Sequence, residues 1–182
     1  LVNSRGSEGM HTDVAAAAAA LDVTPDLAIL CVPAPACPDV LEECAGVGVR
    51  AALLCAGGFA EVGVEGQALQ DRLADVADRH DLAVLGPNTS GFVVPDLDLR
   101  ASFVPGVARI EDGAVAVVAA SGGLNHALMF AFERAGAGVS LGVGVGAGTS
   151  VTAVDLLHHA AADPRTRAVA RHLETVPDGP AL

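Results

Sequence analysis

A run of small apolar residues, Val115 to Ala120, stops at Ser121-Gly122-Gly123 and gives way to helix-spaced apolar positions that continue to Gly136. Two glycines at a strand-to-helix handover serve either of two purposes. They turn the chain tightly without a Cβ penalty. They also let backbone N–H groups approach an anion, to which a helix start adds the positive end of its dipole. Ser121 is a residue type that caps helices, so a plain capped turn and an anion site both fit. Other polar residues stand at comparable places. Asn88 follows Gly86-Pro87, where it can satisfy turn backbone or reach a ligand. Glu174 ends a strand-like run, and Arg5 is an isolated cation near Leu1. Of the six histidines, His126 falls just inside the Ser-Gly-Gly helix and reads as a packing or solvent-facing residue ahead of a phosphoacceptor. His158-His159 lack a third residue at ligand spacing, and His11, His80 and His172 read as structural.

The composition narrows the partners. The formal charge is −12 and every one of the ten basic residues is arginine. Such a field repels nucleic acid and anionic membranes. With aromatics at 3% and neither Trp nor Tyr, stacking platforms for single strands are scarce as well. Without lysine, a Schiff base or a P-loop lysine is excluded from these residues, and an anionic ligand must rely on backbone amides and arginine. Cys31, Cys37, Cys44 and Cys55 show no C-x-x-C spacing, which points to a reducing, cytoplasmic setting with no structural metal. No apolar run reaches the ~18 residues of a membrane span, and no leader-like segment opens the sequence.

The elements that must position these residues follow from periodicity. An Ala-rich helix at Ala15–Ala20 precedes "DLAILCVP", a continuous apolar run suited to a strand buried on both faces. A helix from Pro38 to Gly48 follows, with Val40, Leu41, Cys44 and Val47 on one face. "RAALLCAGG" repeats the strand signature, "EGQALQDRLADVADRH" the helical one, and "DLAVLGPN" is a third strand. After Pro95–Gly113, which reads as a connection, the alternation restarts: strand 114–119, helix 123–135, strand 138–143, helix 151–162 and strand 167–173. Short alternations of this kind build parallel sheets from right-handed βαβ units, with ligands beyond the carboxyl ends of the strands. The expected class is therefore α/β with two parallel-sheet units, at 1–95 and 114–182, joined by a linker at 96–113.

"SLGVGVGAGTS", Ser140 to Ser150, contains G-x-G-x-x-A after a strand, so a dinucleotide site for NAD is a rival reading. Its helical pattern resumes only near Val151, and the next strand-end acid, Glu174, lies further on than the usual ~20 residues.

In order along the chain, "DLAILCVPAPACPDVLEECAGVGVRAALLCAGGFAEVGVEG", "LGPNTSGFVVP", "VAVVAASGGL" and "DPRTRAVARHLETVPDG" resemble the alpha part of the NDP-forming acyl-CoA synthetases, the succinyl-CoA ligase superfamily. Val32-Pro33-Ala34-Pro35, Gly58-Phe59-Ala60-Glu61 and Gly86-Pro87-Asn88 carry the likeness. It implies a Rossmann-like CoA-binding domain followed by a flavodoxin-like ligase domain. It implies coenzyme A held by Arg5, which stands where the family has a lysine, and by Val32, Pro33, Ala34, Ala56, Gly57, Gly58 and Asn88. Ser121, Gly122 and Gly123 would face a phosphorylated histidine, and Glu174 would be the catalytic carboxylate that steadies it. The implied reaction joins a carboxylate to CoA at the expense of a nucleoside triphosphate, releasing the diphosphate and phosphate. ATP and magnesium would enter through an ATP-grasp domain or subunit, and a homo-oligomer is expected.

Some features depart from that pattern. The family's first βα unit, with its Gly-rich CoA loop, would precede Leu1. The phosphohistidine segment would follow Pro180. Ala119-Ala120 replaces the usual Ser-Gln or Ser-Arg before Ser-Gly. The expectation for this chain by itself is CoA binding without catalysis, and a non-catalytic, regulatory CoA-binding homologue is the alternative.

Overall fold

The two apolar runs nearest the start form β1 (Leu27–Leu30) and β2 (Ala51–Leu54), parallel and in register from Leu27↔Ala51 to Leu30↔Leu54. They belong to a computed structural model that describes residues 1–174 and 179. With β3 (Ala83–Leu85) they make a three-stranded sheet in the order β1-β2-β3. The chain divides into two units, Leu1–Val84 and Leu85–Leu182.

In the first unit the Ala-rich helix is α1 (Val14–Ala19), capped by the Asp13 carboxylate, which accepts from Ala16 N–H at 2.7 Å. Helix α2 (Cys37–Gly46) starts on Pro38, which needs no N–H there, and buries Cys37, Leu41 and Cys44 at four- and three-residue spacing. Helix α3 (Val64–His80) buries Leu73, Val76 and Ala77 and stops at Asp81 in the left-handed region. These faces, with Leu30, Leu54, Phe59 and Val84, form the core of this unit. Arg72 pairs with Asp39 at 3.2 Å, and Glu42 receives Arg79 at 3.0 Å and His80 at 2.7 Å, so α2 and α3 are also joined along their exposed edges.

The second unit departs from the expected purely parallel sheet. Its five strands run in the order β5-β4-β7-β6-β8, made of β4 (Gly91–Val94), β5 (Leu99–Ala101), β6 (Asp112–Ala119), β7 (Val139–Gly144) and β8 (Ala168–His172). Strands β7 and β8 flank β6 in parallel, as the alternation requires, but β4 is antiparallel to both β5 and β7. The sheet is mixed. The stretch expected as a connection, 96–113, instead holds β5, which pairs with β4 around a tight turn at Pro95–Leu97 with Asp98 at φ 51°. These strands are three and four residues long and interrupted by proline, so they lack the long apolar run that marked the others.

Helix α4 (Gly122–Arg134) lays Asn125, His126 and Met129 on the sheet, and α5 (Ala153–Ala162) opens on a reciprocal capping box between Thr152 and Asp155. Val93, Ile110, Val117, Met129 and Val139 form the second core.

One contact in the first unit sets where a strand-end loop runs. Gly66, near the start of α3, passes so close to the Phe59 carbonyl that a Cβ would lie 1.9 Å from its oxygen. Helix propensity favours alanine over glycine by roughly 0.5–1 kcal/mol, but overpacking a fixed backbone atom costs about 1–3 kcal/mol. Gly66→Ala is therefore expected to destabilise. Gly46→Ala, where nothing lies within 4 Å of the added Cβ, should be neutral or slightly stabilising. Urea unfolding of the two variants tests this; equal midpoints would show that the Phe59 loop yields freely.

Candidate active site

The carboxyl ends of β1 and β2 carry small residues. Val32 is half-buried and Pro33 exposed, and Ala34 is buried at the start of the short turn that leads into α2. Across from them Ala56 and Gly58 are half-buried and Gly57 is exposed. Gly58 has φ +103°, and a Cβ there would meet the Ala34 methyl at 3.3 Å. The structure thus brings Ala34 and Gly58 together at one edge. Arg5 lies in an exposed N-terminal turn, its N–H donating to Asn3 Oδ1 at 3.1 Å; among the described residues its guanidinium has no ion-pair partner.

A residue outside the expected site organises this edge. The Glu61 carboxylate accepts from Gly58 N–H at 2.6 Å and Phe59 N–H at 3.1 Å. Partial burial pushes its pKa up, but the Gly58, Glu61 and Phe59 backbone N–H groups outweigh that and hold it below the usual glutamate range. Those two amides are occupied by the protein's own carboxylate and are not free for an external anion. The signal in the sequence was Glu61 three residues after Gly58, a loop-closing spacing rather than a catalytic one.

In the second unit three loops converge. Ser121 caps α4, its Oγ accepting from Leu124 N–H at 3.4 Å. A Cβ on Gly122 would lie 2.8 Å from Ser90 Cβ, and one on Gly144 would lie 2.3 Å from Ser90 Oγ. Ser90 therefore sits in the space those two glycines leave. The Thr89 hydroxyl donates to the Gly144 carbonyl, and Ala147 N–H and Thr149 N–H donate to the Pro87 and Gly86 carbonyls at 2.9 and 3.2 Å. Asn88 is exposed on this stitched loop with φ 58°. Glu174 is exposed, and the β6–β8 register, Ala119↔His172, carries it out at the same edge as Ser121.

The first turn of α4 holds no acidic residue of its own. Gly123 is open: a Cβ there would meet only Ser121 Oγ, at 3.9 Å. By helix geometry the Gly122 and Gly123 N–H groups have no acceptor within the helix. His126 is buried, its Nδ1 2.7 Å from the Gly122 carbonyl, which can only accept, so Nδ1 carries a proton. Its Nε2 faces Ser102 Oγ at 3.3 Å. It is a brace for the first turn. Asn125 is fully buried with neither amide atom paired among the described residues, and Ser90 Oγ and His172 Nδ1 are likewise unpaired. Nothing in the helical pattern marked Asn125, because one polar residue on an apolar face does not break its period.

The glycine run after β7 has a packing explanation. A Cβ on Gly142 would fall 2.0 Å from Met129 Sδ, and one on Gly146 2.3 Å from the Pro87 carbonyl oxygen. Helix α5 begins only at Ala153, too late for a dinucleotide-binding turn.

Comparison with known proteins agrees with this layout. A model described as CoA binding domain matches residues 1–95, and one described as succinyl-CoA ligase like flavodoxin domain matches residues 112–182. The chain is 34% identical over 154 residues to the acetate–CoA ligase [ADP-forming] I subunit alpha of Pyrococcus furiosus, covering 85% of this chain and 33% of that protein. It is 33% identical over 156 residues to acetate–CoA ligase [ADP-forming] I of Archaeoglobus fulgidus, covering 85% of this chain and 22% of that protein. The dinucleotide forming acetyl-coenzyme A synthetase 1 of Ca. Korarchaeum cryptofilum, solved in complex with phosphate and ADP, superposes with a TM-score of 0.84 at 30% identity, over 98% of this chain and 38% of that one. The chain spans about a third or less of the length of these curated relatives.

Because its folded pKa is depressed, Glu61 contributes stability that is complete above the ordinary glutamate value and is lost as pH falls through the lower folded value. Glu61→Gln should cost on the order of 0.5–1 kcal/mol at neutral pH, the low end for bonds to a charged group because solvent reaches the carboxylate. Its acid limb should also be shallower. Parallel pH–stability curves for the two proteins would remove Glu61 from this role.

Proposed function

The chain belongs to the family of CoA-binding and succinyl-CoA ligase-like domains found in NDP-forming acyl-CoA synthetases, and on that premise we propose that it is the CoA-binding alpha part of such an enzyme. The reaction would convert a carboxylate, CoA and a nucleoside triphosphate to acyl-CoA, the diphosphate and phosphate. The observation that carries the reading is the convergence of the Gly86–Ser90 loop, the α4 start and the β7 end on one edge, where the first turn of α4 carries no acidic residue.

In this reading the residues at 1–95 hold CoA and those at 114–182 handle the phosphoryl group. The small edge at Val32, Pro33, Ala34, Ala56, Gly57 and Gly58 fits CoA, since it leaves backbone open to a ligand. Arg5 supplies the positive charge for a CoA phosphate that the Gly58 and Phe59 amides, held by Glu61, cannot. Asn88, exposed on its loop, would add a further contact to CoA. The N–H groups of Gly122 and Gly123, with the helix dipole behind them, stabilise a phosphoryl group by fixed charge rather than by covalent chemistry. Ser121 keeps the helix start in place. The histidine that carries the phosphoryl group would come from a segment outside this sequence. Glu174, emerging beside Ser121, would orient its ring by accepting from one nitrogen. Binding of ATP and magnesium would belong to an ATP-grasp domain or subunit, in a cytoplasmic assembly that is also homo-oligomeric.

Two variants test the two halves. A hydrogen bond to a charged group is worth roughly 1.5–3 kcal/mol, about a ten- to hundredfold change in affinity, so Arg5→Ala should weaken CoA binding by that much in calorimetry. Unchanged affinity would leave Arg5 a solvated side chain. Gly122 is a poor probe of the helix start because any side chain strikes Ser90. Gly123 accepts a Cβ, and a carboxylate in a first turn favours the helix. Gly123→Asp should therefore stay folded yet lose phosphate or sulfate binding by at least tenfold, since its charge has the ligand's sign. Retained anion binding in the folded variant would reduce the glycines to packing.

A further inference from the structure

Two of the four cysteines are brought together by the ladder of the first sheet. The parallel register ends at Leu30↔Leu54, and Cys55 N–H continues it by donating to the Leu30 carbonyl at 3.1 Å. Cys31 and Cys55 are therefore opposite each other, one step beyond the last paired residues. Both follow a buried leucine, and side chains alternate along strands, so both thiols leave the sheet on the same face. Adjacent strands lie about 4.8 Å apart, inside the roughly 4.4–6.8 Å between Cα atoms that a disulfide spans.

We propose that Cys31 and Cys55 are a redox-responsive dithiol that closes reversibly to a cross-strand disulfide. Cys31 is exposed and Cys55 half-buried, so an oxidant meets Cys31 first. With hydrogen peroxide, the Cys31 thiolate attacks one oxygen; an S–O bond forms, the O–O bond breaks, and the hydroxide released is protonated to water. Cys55 then loses its proton and attacks the sulfenic sulfur; the S–S bond forms, the S–O bond breaks, and a second water leaves. Two electrons pass from the sulfurs to the peroxide. Burial, and then the Cys31 thiol beside it and Cys37 nearby, push the Cys55 thiol up to about 12, which disfavours Cys55 as the first site of oxidation. The other two thiols are poorly placed: Cys37 is buried against the Val32 and Pro33 carbonyls, and Cys44 is buried in the face of α2. A metal does not account for the pair, since no group of three or more His, Cys, Asp or Glu among the described residues is arranged to hold one.

Each cysteine immediately precedes a strand-end segment, Val32-Pro33-Ala34 or Ala56-Gly57-Gly58. A bond between them would fix the spacing of those segments. On the CoA reading above, and only on it, oxidation would also change CoA affinity.

The test is direct mass analysis of the full chain after treatment with hydrogen peroxide, alkylation without reduction, and digestion. The expected product is a peptide joining Cys31 to Cys55, lost on reduction with dithiothreitol and lost in Cys31→Ser. It should persist in Cys37→Ala, and fragmentation of the unsubstituted protein assigns the pair if that variant does not fold. Cys31 oxidised to sulfinic acid while Cys55 alkylates as a free thiol would overturn the proposal, as would a bond from Cys55 to Cys37. Because the readout is the bond itself, a failure of CoA binding leaves the outcome unaffected.

Discussion

Both candidate edges depend on a neighbouring residue, by its backbone or a small side chain, standing where a side chain would ordinarily be. In the second unit Ser90 fills the space left by Gly122 and Gly144, and the Pro87 carbonyl fills the space above Gly146. In the first, Gly58 lies against Ala34 and Gly66 against the Phe59 carbonyl. Protein interiors are packed to the density of crystals, so a single Cβ at such a point forces the neighbour away. The glycines and alanines at these strand ends are thus a geometric requirement first. The exposed backbone that a ligand can use is a consequence of meeting it.

Electrostatics divide the two edges more sharply than shape does. In a chain of net charge −12, an anion needs a place from which carboxylates are excluded. The first turn of α4 carries none, and its leading amides project from a helix whose dipole favours negative charge. The β2 edge took the opposite course. Its loop amides at Gly58 and Phe59 are satisfied from within by Glu61, which closes the loop on itself. The same residue types, glycines after a strand, therefore serve different ends according to what lies three residues on.

The mixed sheet has a bearing on the site as well. Strand β4 runs antiparallel to β7, so the segment that enters β4, Gly86 to Ser90, lies at the end where β7 exits. A purely parallel arrangement would start its strands at the opposite edge. The antiparallel strand is what brings Asn88 and Ser90 to the carboxyl ends of β6 and β7, where the helix α4 begins.

Much of the architecture was legible in the sequence. Continuous apolar runs gave parallel strands, three- and four-residue spacings gave α2 and α3, and Ser121-Gly122-Gly123 gave a capped helix start, because each of these signals is local and repeats within a few residues. The first run does not make the strand buried on both faces that it suggests: β1 lies at the edge of its sheet, with Leu30 buried and Ile29 exposed. The resemblance carried by Val32-Pro33-Ala34, Gly86-Pro87-Asn88 and Gly58-Phe59-Ala60-Glu61 placed the chain in its family. The short strands β4 and β5 escaped, since three or four residues around a proline carry too little periodicity. The glycine run from Gly142 to Gly146 allowed a dinucleotide reading until Met129, Ser90 and Pro87 were seen to occupy the missing side-chain positions. The pairing of Cys31 with Cys55, the burial of Asn125 and the meeting of Ser90 with Gly122 were decided by tertiary structure alone. Each depends on an approach between residues 24 or 32 positions apart or on a face covered by another element, and no local pattern encodes which distant residue will arrive there.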